Sequence, residues 1–249
     1  MLNNSWWPLY LSFSILLTVV YLLLFLKKGL DFAHYILLIP ITFVFFLWFR
    51  DVSREGVLQG SHSRIVVARL KLGLVWFLFR EVWFFFGIFW RFFHIRISPI
   101  TGGNFWPLFG LEAIPPFQVP LLNTIVLLIR GVTVTLAHFN VLFGEKSVWL
   151  LYSLILGIYF LILQGMEYYS SSFCISSGVF GSLFFMGTGF HGVHVCLGSV
   201  MLFVSYFRMK IRQLSLRHHF FLEFSLWYWH FVDVVWLFLF SWMYVWGQI

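Results

Sequence analysis

Apolar residues fall in seven long stretches, at about 7–26, 32–49, 71–93, 119–143, 148–168, 181–207 and 222–246. Each is close to the roughly 17–25 residues that a helix needs to cross a bilayer. Period-2 alternation is absent, so the pattern predicts helices rather than the strands of a membrane barrel. The second stretch is short, and Pro40 predicts a kink in it; neighbouring helices can re-satisfy the backbone group that proline frees. Between the stretches, 27–31 and 144–147 read as tight turns and 50–70 as a charged loop. Segment 95–118 contains Pro99, Gly102, Gly103, Pro107, Pro115 and Pro116 and reads as a long irregular loop. No fixed-period repeat is visible. The expectation is an all-α integral membrane protein of one domain, 1–249. Helices 1–2 lie at about 7–49, a connecting loop at 50–70, and helices 3–7 at about 71–246.

Composition narrows the class. The chain is 61% hydrophobic and 10% charged, against about 25% charged in soluble domains. That excludes a cytosolic enzyme, a nucleic-acid-binding domain and a disordered chain. The net charge of +7 fits basic loops at a membrane surface, with no nucleic-acid partner. No cleavable signal is read, because the apolar stretch that starts at Trp6 is long enough to span and lacks a basic segment before it. Arg50, Arg54, Arg64, Arg69, Lys71, Lys146, Arg208, Lys210, Arg212 and Arg217 share the side of the N-terminus. Only Lys27, Lys28, Arg91 and Arg96 lie on the other. This bias predicts the N-terminus on the cytoplasmic or matrix side. Cys174 and Cys196 build neither a disulfide framework nor a zinc site and read as small buried hydrophobes. The tryptophans, Trp227 and Trp229 included, read as an interfacial belt.

A charge at bilayer depth costs about 2.5–3.5 kcal/mol on insertion scales, so each one asks for a reason. Arg80 and Glu81 sit ten residues beyond Lys71, and Arg130 is equally deep from the opposite side. The spacing predicts a Glu81–Arg130 pair. Arg80 points about 100° away from Glu81 and is the poorer partner. Glu81 reads either as a protonatable, ligand-contacting group or as half of a structural ion pair. His191 and His194, with His230 and Asp233, have i,i+3 spacing on helices six and seven. They read either as metal ligands or as a hydrogen-bonded seam between the two helices; the seam is favoured and no metal is expected. Glu167 reads as an interfacial anchor. Arg50, Arg54 and Arg208 meet the inner surface, where arginine binds lipid phosphate or only marks topology. No Walker A, dinucleotide, HExxH or nucleophile-elbow motif is present. Two classes remain: an accessory subunit of a membrane complex, or a proton- or solute-coupled transporter using Glu81, Arg80 and Arg130. The absence of repeats lowers the second.

From about Leu47 to Trp246 the chain resembles cytochrome c oxidase subunit III. The likeness is carried by Phe49-Arg50-Asp51-Val52 with Arg54-Glu55 and Gln59-Gly60, then Glu81-Val82-Trp83-Phe84-Phe85 and Val119-Pro120-Leu121-Leu122-Asn123-Thr124. It continues with Glu167-Tyr168-Tyr169, Gly189-Phe190-His191-Gly192-Val193-His194-Val195 and the run from Trp227 to Trp236. The resemblance implies a subunit of respiratory complex IV in the mitochondrial inner membrane, packed beside catalytic subunit I. It implies helices 1–2 splayed from helices 3–7, and phospholipids in the cleft. Haem a and copper belong to partner subunits, and this chain binds no redox cofactor. The implied role is support of proton uptake, oxygen access and stability of subunit I. By position, Arg50, Arg54 and Arg208 are implied phosphate contacts, with Glu55 and His62 near the head groups. Glu81 corresponds to the family's carbodiimide-reactive carboxyl. Subunit III of a quinol oxidase, which shares the fold, is the alternative. The chain departs from the family at Arg80, Arg91 and Arg130, where small or apolar residues are usual, and at Phe49, where a second tryptophan is usual.

Overall fold

A computed structural model of the chain describes residues 5–28, 34–97, 114–143, 148–211, 213 and 219–248. Seven α-helices run through them: α1 Trp7–Lys28, α2 His34–Val57, α3 Arg64–Ile97, α4 Val119–Leu142, α5 Trp149–Ser170, α6 Gly178–Lys210 and α7 Phe220–Leu239. The first six predicted spans each fall on one helix, the seventh runs through α7 and the π-helical turn Phe240–Val245 that follows it, and no strand occurs among the described residues. Within them, α3, α4, α5, α6 and the stretch Phe220–Val245 are long and apolar enough to cross a membrane; Trp7–Tyr21 is a shorter apolar helical segment. The turn at 144–147, most of the turn at 27–31, most of the irregular segment at 95–118, and Arg212 and Arg217 lie outside the described residues.

The segment 50–70 departs from its reading as a loop. α2 continues to Val57 and α3 begins at Arg64. Charge ends an apolar span, but Arg, Glu, Leu and Val remain competent helix formers, so the helices run on past the apolar stretches. The link is short and turns at Gly60, whose φ of 61° is a left-handed value that glycine adopts without strain. α3 and α6, with 34 and 33 residues, are about 50 Å long at 1.5 Å per residue. That exceeds the hydrocarbon core of roughly 30 Å.

The chain divides into two compact units, Met1–Leu72 and Gly73–Ile249. In the first, α1 packs on α2. The indole of Trp7, at the start of α1, donates to Asp51 Oδ2 at 2.9 Å. This bond, aided by Arg50 and Arg54, holds the Asp51 carboxyl below its usual range against the opposing effect of burial. His62 folds back on α2, where a Cβ on Gly56 would lie 2.8 Å from its Nδ1.

In the second unit α7 packs against both α4 and α6 and carries the fully buried rings of Trp229 and Trp236. Trp229 is therefore a core residue and not part of a belt, whereas Trp227 is exposed. The reason is a slot. A Cβ on Gly157 of α5 would stand 2.9 Å from the Trp229 ring, and one on Gly198 of α6 would stand 2.7 Å from it. α3 meets α6 and α7 through aromatic pairs, among them Phe84–Phe190, Phe77–Phe224 and Phe89–Phe238. Such ring pairs favour the edge-to-face geometry seen here. Both cysteines, expected inside, are exposed. Cys196 lies on the outward face of α6, where an apolar medium suits an apolar thiol. Cys174 lies between α5 and α6 with its sulfur beside the hydroxyls of Ser176 and Ser177.

Candidate functional site

Four polar groups are buried in the second unit, where unmet hydrogen bonds are costly. The first surrounds Glu81, buried on α3. Arg80 Nε and Nη2 both reach Glu81 Oε1, at 3.1 and 2.5 Å. His194 Nε2 of α6 meets Oε2 at 3.0 Å. The predicted pair with Arg130 does not form, and Arg80, the neighbour with the poorer angle, takes its place. An arginine stem is long enough to bend back across one helical step, and here it also lays its guanidinium 4.9 Å from the Phe77 ring centre. The Arg80 side chain stays 69% exposed, so the long chain covers apolar surface while its head holds the carboxyl. His194 Nδ1 lies 2.6 Å from the Phe190 carbonyl. Both ring nitrogens thus face oxygens that can accept, which fixes the ring between α3 and its own helix.

The second group is Arg130 with Asp233. Arg130, on α4, is fully buried. Its Nε and Nη2 donate to Asp233 Oδ1 of α7 at 3.0 and 2.6 Å. The guanidinium lies 4.5 Å from the Trp229 ring centre and 5.1 Å from that of Phe160, a cation–π sandwich in a dry setting. α7 sits against α4, so Asp233 lies closer to Arg130 than Glu81 does, and the charges sort by helix neighbour rather than by depth alone.

This arrangement also divides the expected seam. His191 Nε2 meets the Val232 carbonyl at 3.3 Å and does bridge α6 and α7. His194 turns to α3 and Asp233 to α4, while His230 is exposed on α7. Residues at i,i+3 are about 60° apart around a helix, enough to aim them at different neighbours. Among the described residues no group of three His, Cys, Asp or Glu side chains gathers as metal ligands.

The third group was missed. Glu167 is not an interfacial anchor: it is 3% exposed. Tyr244 donates to its Oε1 at 2.5 Å, as does Gln164 Nε2 at 3.3 Å. Asn123 Nδ2 donates to Gln164 Oε1 at 3.4 Å. Gln164 lies one helical turn before Glu167, so its polarity inside an apolar span was the available signal. The fourth group is a hydroxyl contact, Thr133 with Ser153, which links α4 to α5 at 2.7 Å.

The expected phosphate contacts fall in both units. In the first, Arg50 binds Asp51 through Nε and Nη2 at 3.2 and 3.1 Å; Arg54 is exposed, and Glu55 and His62 are half-buried. In the second, Arg208 lies 5.6 Å over the Phe221 ring, with its Nε buried and unpartnered. Arg91 is exposed.

Comparison with known proteins places this geometry. Residues 1–248 match the family described as cytochrome c oxidase subunit III. The proteins named cytochrome c oxidase subunit 3 of Rhipicephalus sanguineus, Oryctolagus cuniculus and Mus musculus are each 44% identical to this chain. The alignments cover 99–100% of this chain and 97% of each relative. The helical membrane architecture defines the class, and the full-length match defines the family within it. The chain belongs to the cytochrome c oxidase subunit III family, and so to a subunit of an oxidoreductase complex of the respiratory chain.

Proposed function

We propose that this chain serves cytochrome c oxidase as a subunit without redox centres, packed mainly against catalytic subunit I among the other complex IV subunits. Its place is the mitochondrial inner membrane, with the N-terminus in the matrix. Haem a and copper sit in partner chains, and the contribution here is phospholipid binding, support of proton uptake and oxygen access, and stability of subunit I. The full-length match to the family carries this reading. The ion pairing supports a scaffold role in place of transport: Glu81 and Asp233 are both engaged by arginine, which leaves neither as a free carrier for a solute. Arg54 in the first unit and Arg208 in the second present guanidinium groups suited to phosphate; in the first unit Arg50 is tethered through Asp51, and Glu55 and His62 are assigned to the head-group region.

Affinity purification of the tagged chain from gently solubilised membranes tests the assembly. Haem a absorbance and a copper-containing subunit are expected in the same fraction. A chain isolated alone that moves solute in liposomes overturns the reading, and co-purification with a quinol-oxidising complex whose second subunit holds no copper transfers it to the quinol oxidases. Replacing Arg54 and Arg208 together by alanine is expected to lower the phospholipid retained per complex; unchanged lipid content would remove those residues from the lipid site.

A further inference from the structure

Glu167 has a role open to it that lipid binding and scaffolding leave unused. Its side chain closes a network built from three helices. Asn123 of α4 donates to Gln164 of α5, and Gln164 and Tyr244 both donate to Glu167 Oε1. Tyr244 belongs to the π-helical turn Phe240–Val245 that continues α7, and the widened turn sets its ring inward. Gln164 Nε2 also reaches the Tyr244 hydroxyl at 3.2 Å, so the three side chains lock one another.

The hydrogen-bond count does not close. Both donors that reach Glu167 end on Oε1, while Glu167 Oε2 and Asn123 Oδ1 are buried without a partner. The other polar groups nearby face away. Tyr168 gives its hydroxyl to Thr188, and Trp236 gives its indole N–H to Thr124, whose own hydroxyl turns to Pro120. Among the described residues no Arg, Lys or His pairs with Glu167. A buried carboxylate with one bare oxygen and no counter-charge is a strongly disfavoured state. One hydrogen on Oε2 removes the charge and supplies a donor to a network that has two acceptors in excess.

We propose that Glu167 is a proton-binding site, occupied at neutral pH by a proton on Oε2. Oε1 remains the acceptor for Tyr244 and Gln164, and the acid is neutral as its burial without a counter-charge favours. An open surface groove of about 560 Å³, lined mainly by apolar groups and bounded in part by Val119, Met166, Glu167 and Tyr169, lies beside it. Glu81 differs in kind, because Arg80 and His194 compensate both of its oxygens.

Infrared absorption of the assembled oxidase complex, compared with the Glu167→Gln complex, tests this. The wild type is expected to show a protonated-carboxyl C=O band that moves down in heavy water and is lost in the variant. Loss of carboxylate stretching bands instead overturns the proposal. Should the variant fail to assemble, a hydrophobic carbodiimide applied to wild-type membranes gives an independent reading. The Oε2 proton passes to a carbodiimide nitrogen, the carboxyl oxygen bonds the central carbon, and the O-acylisourea rearranges to a stable N-acylurea, so no other reactant is needed. Peptide mass analysis is expected to find the adduct on Glu167. Labelling of Glu81 serves as the control that the reagent acted, and Glu167 left unmodified after exhaustive treatment overturns the proposal.

Discussion

Arg130 and Asp233 are the pair in this chain most exposed to a single substitution. Arg130 has no accessible surface, so its charge is tolerable only while Asp233 and the flanking rings of Trp229 and Phe160 are in place. Breaking a buried pair by removing one partner destabilises by about 3–5 kcal/mol, because the other charge stays behind. Asp233→Asn is therefore expected to lower the thermal stability of the solubilised complex on that scale. Asp233→Leu combined with Arg130→Met, which removes both charges, is expected to recover most of the loss. Thermal unfolding of the three proteins side by side checks this. Equal loss in the single and double variants would mean that packing around Trp229, rather than charge pairing, sets the stability here.

The helices themselves were legible because a span is written in many residues at once: about twenty apolar positions in a row define each one. Their ends were not. Charges at Arg50, Asp51, Arg54 and Glu55 mark where the hydrocarbon stops, not where the backbone leaves helical geometry, so the predicted loop proved to be largely helix. The polar partners were half-legible. That Arg80, Glu81, Arg130, Asp233 and His194 needed company followed from the cost of burying charge, but which met which depends on the rotation and neighbours of each helix, and no spacing along one strand of sequence encodes those. Gly157 and Gly198 were silent for the same reason: a glycine in a span has no signature until the ring it admits is known. That ring makes them testable. A Cβ on Gly198 would fall 2.7 Å from Trp229 Cε3, and the ring is held on its other edge by Gly157, so Trp229 has nowhere to retreat. Gly198→Ala is expected to destabilise the assembled subunit by about 1–3 kcal/mol, the usual range for overpacking a filled core. Gly189→Ala, where a Cβ meets nothing within 4 Å, is expected to leave it unchanged. Protease resistance or thermal unfolding of the two variants separates them.

For the whole molecule, the sidedness predicted by the ten basic residues against four can be read from one thiol. With the N-terminus in the matrix and seven crossings, the link between α5 and α6 faces the opposite compartment, and that link contains Cys174. The side chain is exposed and carries a chemical mark. Hydrogen bonds from Ser176 and then Ser177 stabilise its thiolate and bring the thiol pKa down to about 7. The thiolate is the nucleophile, so alkylation is expected to rise with pH around 7 and level off above it, well before an ordinary thiol near 8.5 is half-ionised. Cys196 faces the apolar side of α6 and is expected to react poorly with a charged reagent. A membrane-impermeant maleimide added to right-side-out inner-membrane vesicles should therefore label Cys174 alone, with that pH profile, and Ser176→Ala should move the profile upward. Labelling that appears only after the vesicles are opened would reverse the orientation, and with it the placing of Arg50, Arg54 and Arg208 on the matrix side.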